Sequence, residues 1–323
     1  MQLLTSRKTW LVVAVLAAAA GAAGVGRAWL AKGSDVPREL DWRYVILAAA
    51  LALMVVVVYG VGWWSLVGAL DRRRPAFLPT MRLFVFAWAG RYAPASLPYY
   101  GGRLIAGGRL GLSRPAIGAS LVYENLLVVA TAGTISVISL LIGFRDQLQG
   151  GAWFMLALLA IGVALVALHP AVGRWVVRRA ASRVPRLGAL EDYVLPPRAL
   201  AQSALAYACG SILAGLIFYC SLRASADAHP PLLLAIAAYN IAGIAGMLAF
   251  AVPSGLGVRE GVVVALLGAV LSPPVALSAA VLARLLTLIA DMALPAVVLL
   301  LSVGAKAVSV RPRKDVAKEP WAA

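Results

Sequence analysis

Pro253-Ser-Gly-Leu-Gly-Val-Arg-Glu-Gly261 sets helix breakers and two adjacent charges between long apolar runs. A soluble protein keeps such a stretch in a loop. Here the flanking runs are long enough to lie in a bilayer, where a charged side chain costs roughly 2.5 to 3.5 kcal/mol on insertion scales. Arg259 and Glu260 are therefore expected to face a polar cavity and not lipid. An earlier stretch, Arg91-Tyr-Ala-Pro-Ala-Ser-Leu-Pro-Tyr-Tyr-Gly-Gly-Arg103, repeats the pattern, and each stretch is followed by a long apolar helix that carries charge. Paired interruptions of this kind point to a site between inverted repeats.

The rest of the chain fits a membrane reading. Of 323 residues, 62% are hydrophobic and 13% charged, whereas an ordinary globular domain is about 45 to 50% apolar. The expected fold class is all-α: a polytopic integral membrane protein, one transmembrane domain over residues 1–323. A span takes about 20 apolar residues. Six segments meet that length: Trp10 to Leu30, Tyr44 to Leu70, Ala116 to Gly143, Gly151 to Leu168, Leu200 to Leu222 and Val275 to Val303. Leu83 to Gly111 and Pro231 to Leu271 are interrupted by Pro, Gly and charge, and each is expected to form a re-entrant or broken helical hairpin. The first span resembles a signal peptide, but its long apolar run closes on Arg27 and Lys32 and reads as an uncleaved helix. Cys209 and Cys220 are eleven residues apart on one helix, about 16 Å along its axis, too far to bridge.

The formal net charge is +16, and its placement sets topology rather than a nucleic-acid partner. Arg7 and Lys8, the run Arg72-Arg73-Arg74, the loop from Arg174 to Arg198 and the tail from Lys306 to Lys318 belong on the cytoplasmic side; the other loops are nearly neutral. Both termini are then cytoplasmic, with a basic tail over residues 304–323, and the protein resides in the cell membrane. The loop beginning at Arg174 reads as a basic amphipathic segment on the anionic leaflet. In this topology Tyr44 to Gly143 and Leu200 to Val303 enter their interrupted segments from opposite sides. Residues 44–143 and 200–303 are thus expected to be inverted repeats.

Candidate site residues follow from charge at bilayer depth. Glu124 shares a polar stripe with Ser120 and Thr131 at about 100° per residue; the hydroxyls suit helix-to-helix bonding, whereas Glu124 requires a partner, a proton or water. Arg284, Thr287 and Asp291 make a second stripe at i, i+3 and i+7. Glu124 and Arg284 lie at similar distances after Pro94 and Pro253 and are expected to pair across the repeat interface. Arg103 and Arg259 are the expected head-group ligands, because a guanidinium presents a planar fork of donors that matches phosphate. Gly255, Gly257 and Gly261 allow a close backbone approach, and the run after them opens a half-helix whose N-terminus favours an anion. Arg109 and Arg114 read as interface anchors. His169 and His229 lack metal-ligand company, and no Asp-x-Asp, nucleophile elbow, His-Glu-x-x-His or phosphate loop occurs; no catalytic residue, metal or cofactor is expected.

The Gly-Leu-Gly-Val-Arg-Glu-Gly stretch, with Ala283-Arg284-Leu285, Gly90-Arg91-Tyr92, Pro94, Gly111 to Arg114 and Glu124, resembles the lysylphosphatidylglycerol synthase transmembrane family, which includes the flippase half of the multiple peptide resistance factor. The resemblance covers roughly Tyr44 to Val303. It implies a lipid-translocase fold with re-entrant helices and a cavity between two halves, and by matching positions it points at Arg103, Glu124, Arg259, Glu260 and Arg284. Ala95 stands where the family usually has Gly. About twenty residues follow the last span, so lysyl transfer is not expected. The expected function is a lipid flippase for an anionic phospholipid, an aminoacylated lipid or a polyprenyl-phosphate-linked sugar, with Glu124 as a candidate for coupling to protons. The competing readings are a membrane-embedded glycosyl or lipid transferase and a non-transporting scaffold of a lipid synthase. The partners implied are the lipid substrate, a lipid-modifying synthase and a second copy of the chain.

Overall fold

Helices account for every regular element that the computed structural model describes, over residues 40–92, 97–143, 175, 178–179, 193–225, 230–248, 255, 257–268 and 270–309. In chain order they are α1 (Trp42–Leu70), α2 (Phe77–Ala89), a 3-10 turn (Gly90–Tyr92), α3 (Leu97–Arg109), α4 (Arg114–Gly143), α5 (Pro197–Ser225), α6 (Leu232–Leu248), α7 (Val258–Leu267) and α8 (Pro273–Ser309). Four of them, α1, α4, α5 and the Pro273–Leu300 part of α8, are long and apolar enough to cross a bilayer. They agree with four of the expected spans. The expected spans from Trp10 to Leu30 and from Gly151 to Leu168 lie outside the described residues, as do both histidines and most of the loop after Arg174.

The two interrupted stretches form two pairs of short helices, α2 with α3 and α6 with α7. At 1.5 Å per residue, the 13 residues of α2 or of α3 reach only about 20 Å, short of a hydrocarbon core about 30 Å thick. The sequence accounts for each break. In the sequence Pro94 follows the 3-10 turn between α2 and α3, and Gly255 and Gly257 take positive φ of 64° and 81° ahead of α7, a region open to glycine without strain.

Side chains sort by face. Ile46, Met54, Val122, Ile142, Leu205, Ile289 and Leu300 are exposed and apolar, as a lipid-facing surface requires, whereas Trp63, Tyr207, Phe84, Ile117 and Phe218 are fully enclosed. Helix α5 is central, with 50% of its most apolar stretch buried against 28% for α8. It reaches that position by presenting small residues to its neighbours, the means by which apolar helices gain van der Waals contact where lipid offers no hydrophobic drive. Gly210 lies against the ring of Tyr59 on α1, and a Cβ on Gly215 would come within 2.8 Å of the Ile236 Cα on α6. Side-chain hydrogen bonds add to this packing. Asn240 donates to the carbonyls of Ser211 and Ile236 at 3.1 and 2.9 Å, and Ser136 donates to the Ala237 carbonyl at 3.3 Å. Cys209 is exposed and Cys220 buried, both as free thiols.

Gly210→Leu drives a side chain into the Tyr59 ring and is expected to destabilise by about 1–3 kcal/mol, as overpacked cores do. The check is a lower unfolding midpoint in detergent. Gly133→Ala, whose new methyl would find nothing nearer than Ile244 at 3.9 Å, leaves the midpoint unchanged or raised.

Candidate functional site

Three ion pairs among the described residues tie the short helices to the long ones. On α3, Arg103 pairs through Nη1 with Oε2 of Glu124 on α4. The guanidinium sits inside an aromatic cage, 4.7 Å from the Trp63 ring, 4.6 Å from Phe84 and 4.3 Å from Tyr99. Trp63 is itself fixed by donating from Nε1 to Ser120 Oγ at 3.0 Å. The pair is closed off, the two side chains being 0% and 2% exposed. Arg103 Nε and Nη2 and Glu124 Oε1 in the pair itself, and Tyr207 OH and Ser203 Oγ on α5, are buried without a hydrogen-bond partner among the described residues.

A second pair locks the turn between α2 and α3 onto α8. Asp291 accepts through Oδ2 from Arg91 Nη2 and from the Tyr92 hydroxyl, and through Oδ1 from Trp88 Nε1 at 2.9 Å. Arg91 also lies 4.2 Å over the Trp88 ring. With both oxygens engaged and the residue 2% exposed, Asp291 is committed to the first interrupted segment.

The third pair borders a narrow cleft with a cavity volume of about 10 Å³, room for about one water molecule. Glu260, in the first turn of α7, accepts through Oε2 from the Gly257 backbone N–H at 2.7 Å, closing the helix start, and through Oε1 from Arg284 Nη1 on α8 at 2.7 Å. Here the side chains are 20% and 13% exposed. The cleft is bounded by Tyr239, Ala242, Arg259, Glu260, Val263, Ala280 and Arg284. Arg259 is the unbalanced charge in it. Its guanidinium lies 5.3 Å over the Tyr239 ring, and it forms no hydrogen bond or ion pair with any described residue. Its stem rests on Gly246 of α6, where a Cβ would take the place of its Cγ and Cδ. Tyr239 is held in turn by stacking on Phe218, with ring centroids 5.2 Å apart.

The structure thus brings Arg259, Glu260 and Arg284 together and places Arg103, Glu124 and Asp291 elsewhere. The expected pair between Glu124 and Arg284 is not formed, because each has a nearer opposite charge on the short helix preceding its own span. Arg103, expected to hold phosphate beside Arg259, is instead enclosed and paired. Gly255 serves helix packing, since a Cβ there would lie 2.6 Å from the Gly246 Cα, whereas Gly257 and Gly261 face open space. The hydroxyl stripe on α4 follows the helix-bonding reading: Thr131 donates to the Leu127 carbonyl at 2.7 Å and Ser120 to that of Ile117 at 2.7 Å. Arg109 and Arg114 are exposed, as anchors are. The sequence reading gave no role to Arg91, Tyr92, Trp88 or Tyr239. The signal for Arg91 was present in Asp291, a carboxylate at bilayer depth that needs a cation from a neighbouring segment.

Residues 10–294 match the family described as the lysylphosphatidylglycerol synthase TM region. The chain belongs to that family. All the ion pairs above and the Arg259 cleft fall inside the matched range, and the family ties this multi-pass membrane protein to lipid handling. No curated protein matches the chain.

Removing one member of a buried ion pair strands the other, at a cost of about 3–5 kcal/mol, whereas replacing both with apolar residues is often close to neutral. Glu124→Ala is therefore expected to lower the unfolding midpoint sharply, and Arg103→Met with Glu124→Met to recover most of the loss. Equal midpoints for the single and double variants would mean that the pair carries no such coupling.

Proposed function

We propose that the protein is a lipid translocase in which the Arg259 cleft widens to admit the phosphate of an anionic phospholipid or polyprenyl-phosphate-linked lipid while the tails stay in the bilayer. The observation that carries this reading is Arg259 itself. An uncompensated guanidinium at bilayer depth is costly, and it persists here beside a cleft, on a glycine-rich helix start. An anion arriving there relieves the cost.

The arrangement of the pairs supports an inverted-repeat reading, with residues 44–143 and 200–303 as the halves and α2–α3 and α6–α7 as re-entrant hairpins. In each half the second short helix is tied to the span that follows it, by Arg103 to Glu124 and by Glu260 to Arg284. The charges are exchanged between helix and span. One pair is closed and the other borders a cleft, the asymmetry expected of a protein whose halves take turns in opening. In this mechanism the Arg103–Glu124 pair loosens when the Glu260–Arg284 side closes, and the polar atoms now unsatisfied around Arg103 meet water or head group. The basic loops put both termini in the cytoplasm. The chain moves lipid without chemical change and works beside the enzyme that makes it.

The test is lipid movement across liposomes containing the purified full chain, read with acyl-labelled lipids whose head groups are unmodified. Arg259→Ala is expected to reduce transport at least tenfold and Arg259→Lys to retain part of it, because lysine keeps the charge and loses the fork. Gly246→Ala keeps every charge but displaces the Arg259 stem, and is expected to slow transport severalfold. A folded wild type that moves none of the lipids overturns the reading.

A further inference from the structure

We infer that the cleft selects head groups by charge number, accepting a phosphodiester with a single negative charge over dianionic phosphomonoesters and diphosphates and over zwitterions. This rests on the translocase reading above and goes on to the substrate class. The charged side chains that line the cleft are Arg259, Arg284 and Glu260. Both Glu260 oxygens are engaged, one by the Gly257 N–H and the other by Arg284, each at 2.7 Å, and its charge is balanced by Arg284. Its carboxylate also meets the positive end of the α7 dipole. The formal sum is two cations and one anion, a net single positive charge, and it is localised on Arg259.

At partial burial a residual charge is penalised in proportion to the solvation it loses. A phosphodiester monoanion brings the sum to zero, with its two free oxygens matching the guanidinium fork. A dianion leaves one uncompensated negative charge beside the Glu260 carboxylate, which repels it. A zwitterion brings its own cation next to Arg259 and Arg284, and the cleft offers that cation no free carboxylate. The rejection of both competitors thus depends on Glu260 being occupied, which makes it the residue that sets the charge count.

The experiment uses the same liposomes at about pH 8, above the second phosphomonoester pKa of about 6, with acyl-labelled phosphatidylglycerol, phosphatidate and phosphatidylcholine as probes. Wild type is expected to move phosphatidylglycerol at least tenfold faster than either of the others. Glu260→Gln keeps an amide oxygen for the Gly257 N–H while raising the formal sum by one, and is expected to move the preference toward phosphatidate by tenfold or more. Arg284→Gln lowers the sum, frees Glu260 for Arg259, and is expected to move the preference toward phosphatidylcholine; it serves if the first variant does not fold. Equal rates for the three lipids in wild type, or preferences unchanged in a folded variant, overturn the charge rule while leaving a translocase. Absence of movement for every lipid in folded wild type removes the translocase reading and this inference together.

Discussion

A charge at bilayer depth is costly unless it meets an opposite charge, and the three pairs that meet this requirement organise this protein. Helices α2, α3 and α7 are each too short to span, and a break at bilayer depth leaves backbone groups to be satisfied inside the protein. What fixes these elements in place is electrostatic. Arg91 joins the first break to α8, Arg103 joins α3 to α4, and Glu260 joins α7 to α8. Apolar packing positions the long helices, through Gly210 and Gly215 on α5, but it discriminates weakly where every surface is equally apolar. An ion pair in a low dielectric is strong and its hydrogen bonds weaken steeply with misalignment, so these contacts define where the short helices sit.

The elements themselves were legible in the sequence. Proline and glycine between apolar runs located both breaks, and run length located α1, α4, α5 and α8, because these properties are local. Partnership is not local. Glu124 and Arg284 have opposite signs and equivalent offsets from their prolines, which made a pair between them attractive on paper. Yet each has a partner on the preceding short helix, 21 and 24 residues earlier in the chain. Asp291 stands out in the sequence only as part of a stripe with Arg284 and Thr287, but its partner Arg91 is 200 residues away, and no spacing rule reaches that far. The cleft residues Arg259 and Glu260 were found because they sit in the break itself.

Burial then separates roles that the sequence could not. Arg103 and Arg259 share residue type, neighbouring glycines and a place in an interrupted segment. One is sealed by Trp63, Phe84, Tyr99 and Glu124; the other has a single aromatic neighbour and a glycine surface beneath it. Aromatic faces stabilise a guanidinium without neutralising it. The cage at Arg103 therefore still needs Glu124, and where the carboxylate is missing, at Arg259, the positive charge is retained.

That difference explains why Glu260 does not quench its own neighbour. Adjacent residues on a helix point about 100° apart, so Arg259 turns toward α6 and Tyr239 while Glu260 turns toward α8 and Arg284. Glu260 is further held by the Gly257 N–H, a bond that exists because the glycine in left-handed geometry starts the helix there. A β-branched residue at 257 would strain that start, release the Glu260 carboxylate and let it reach Arg259. The backbone conformation of one glycine thereby protects the free charge two residues away, linking the helix break read first in the sequence to the chemistry of the cleft.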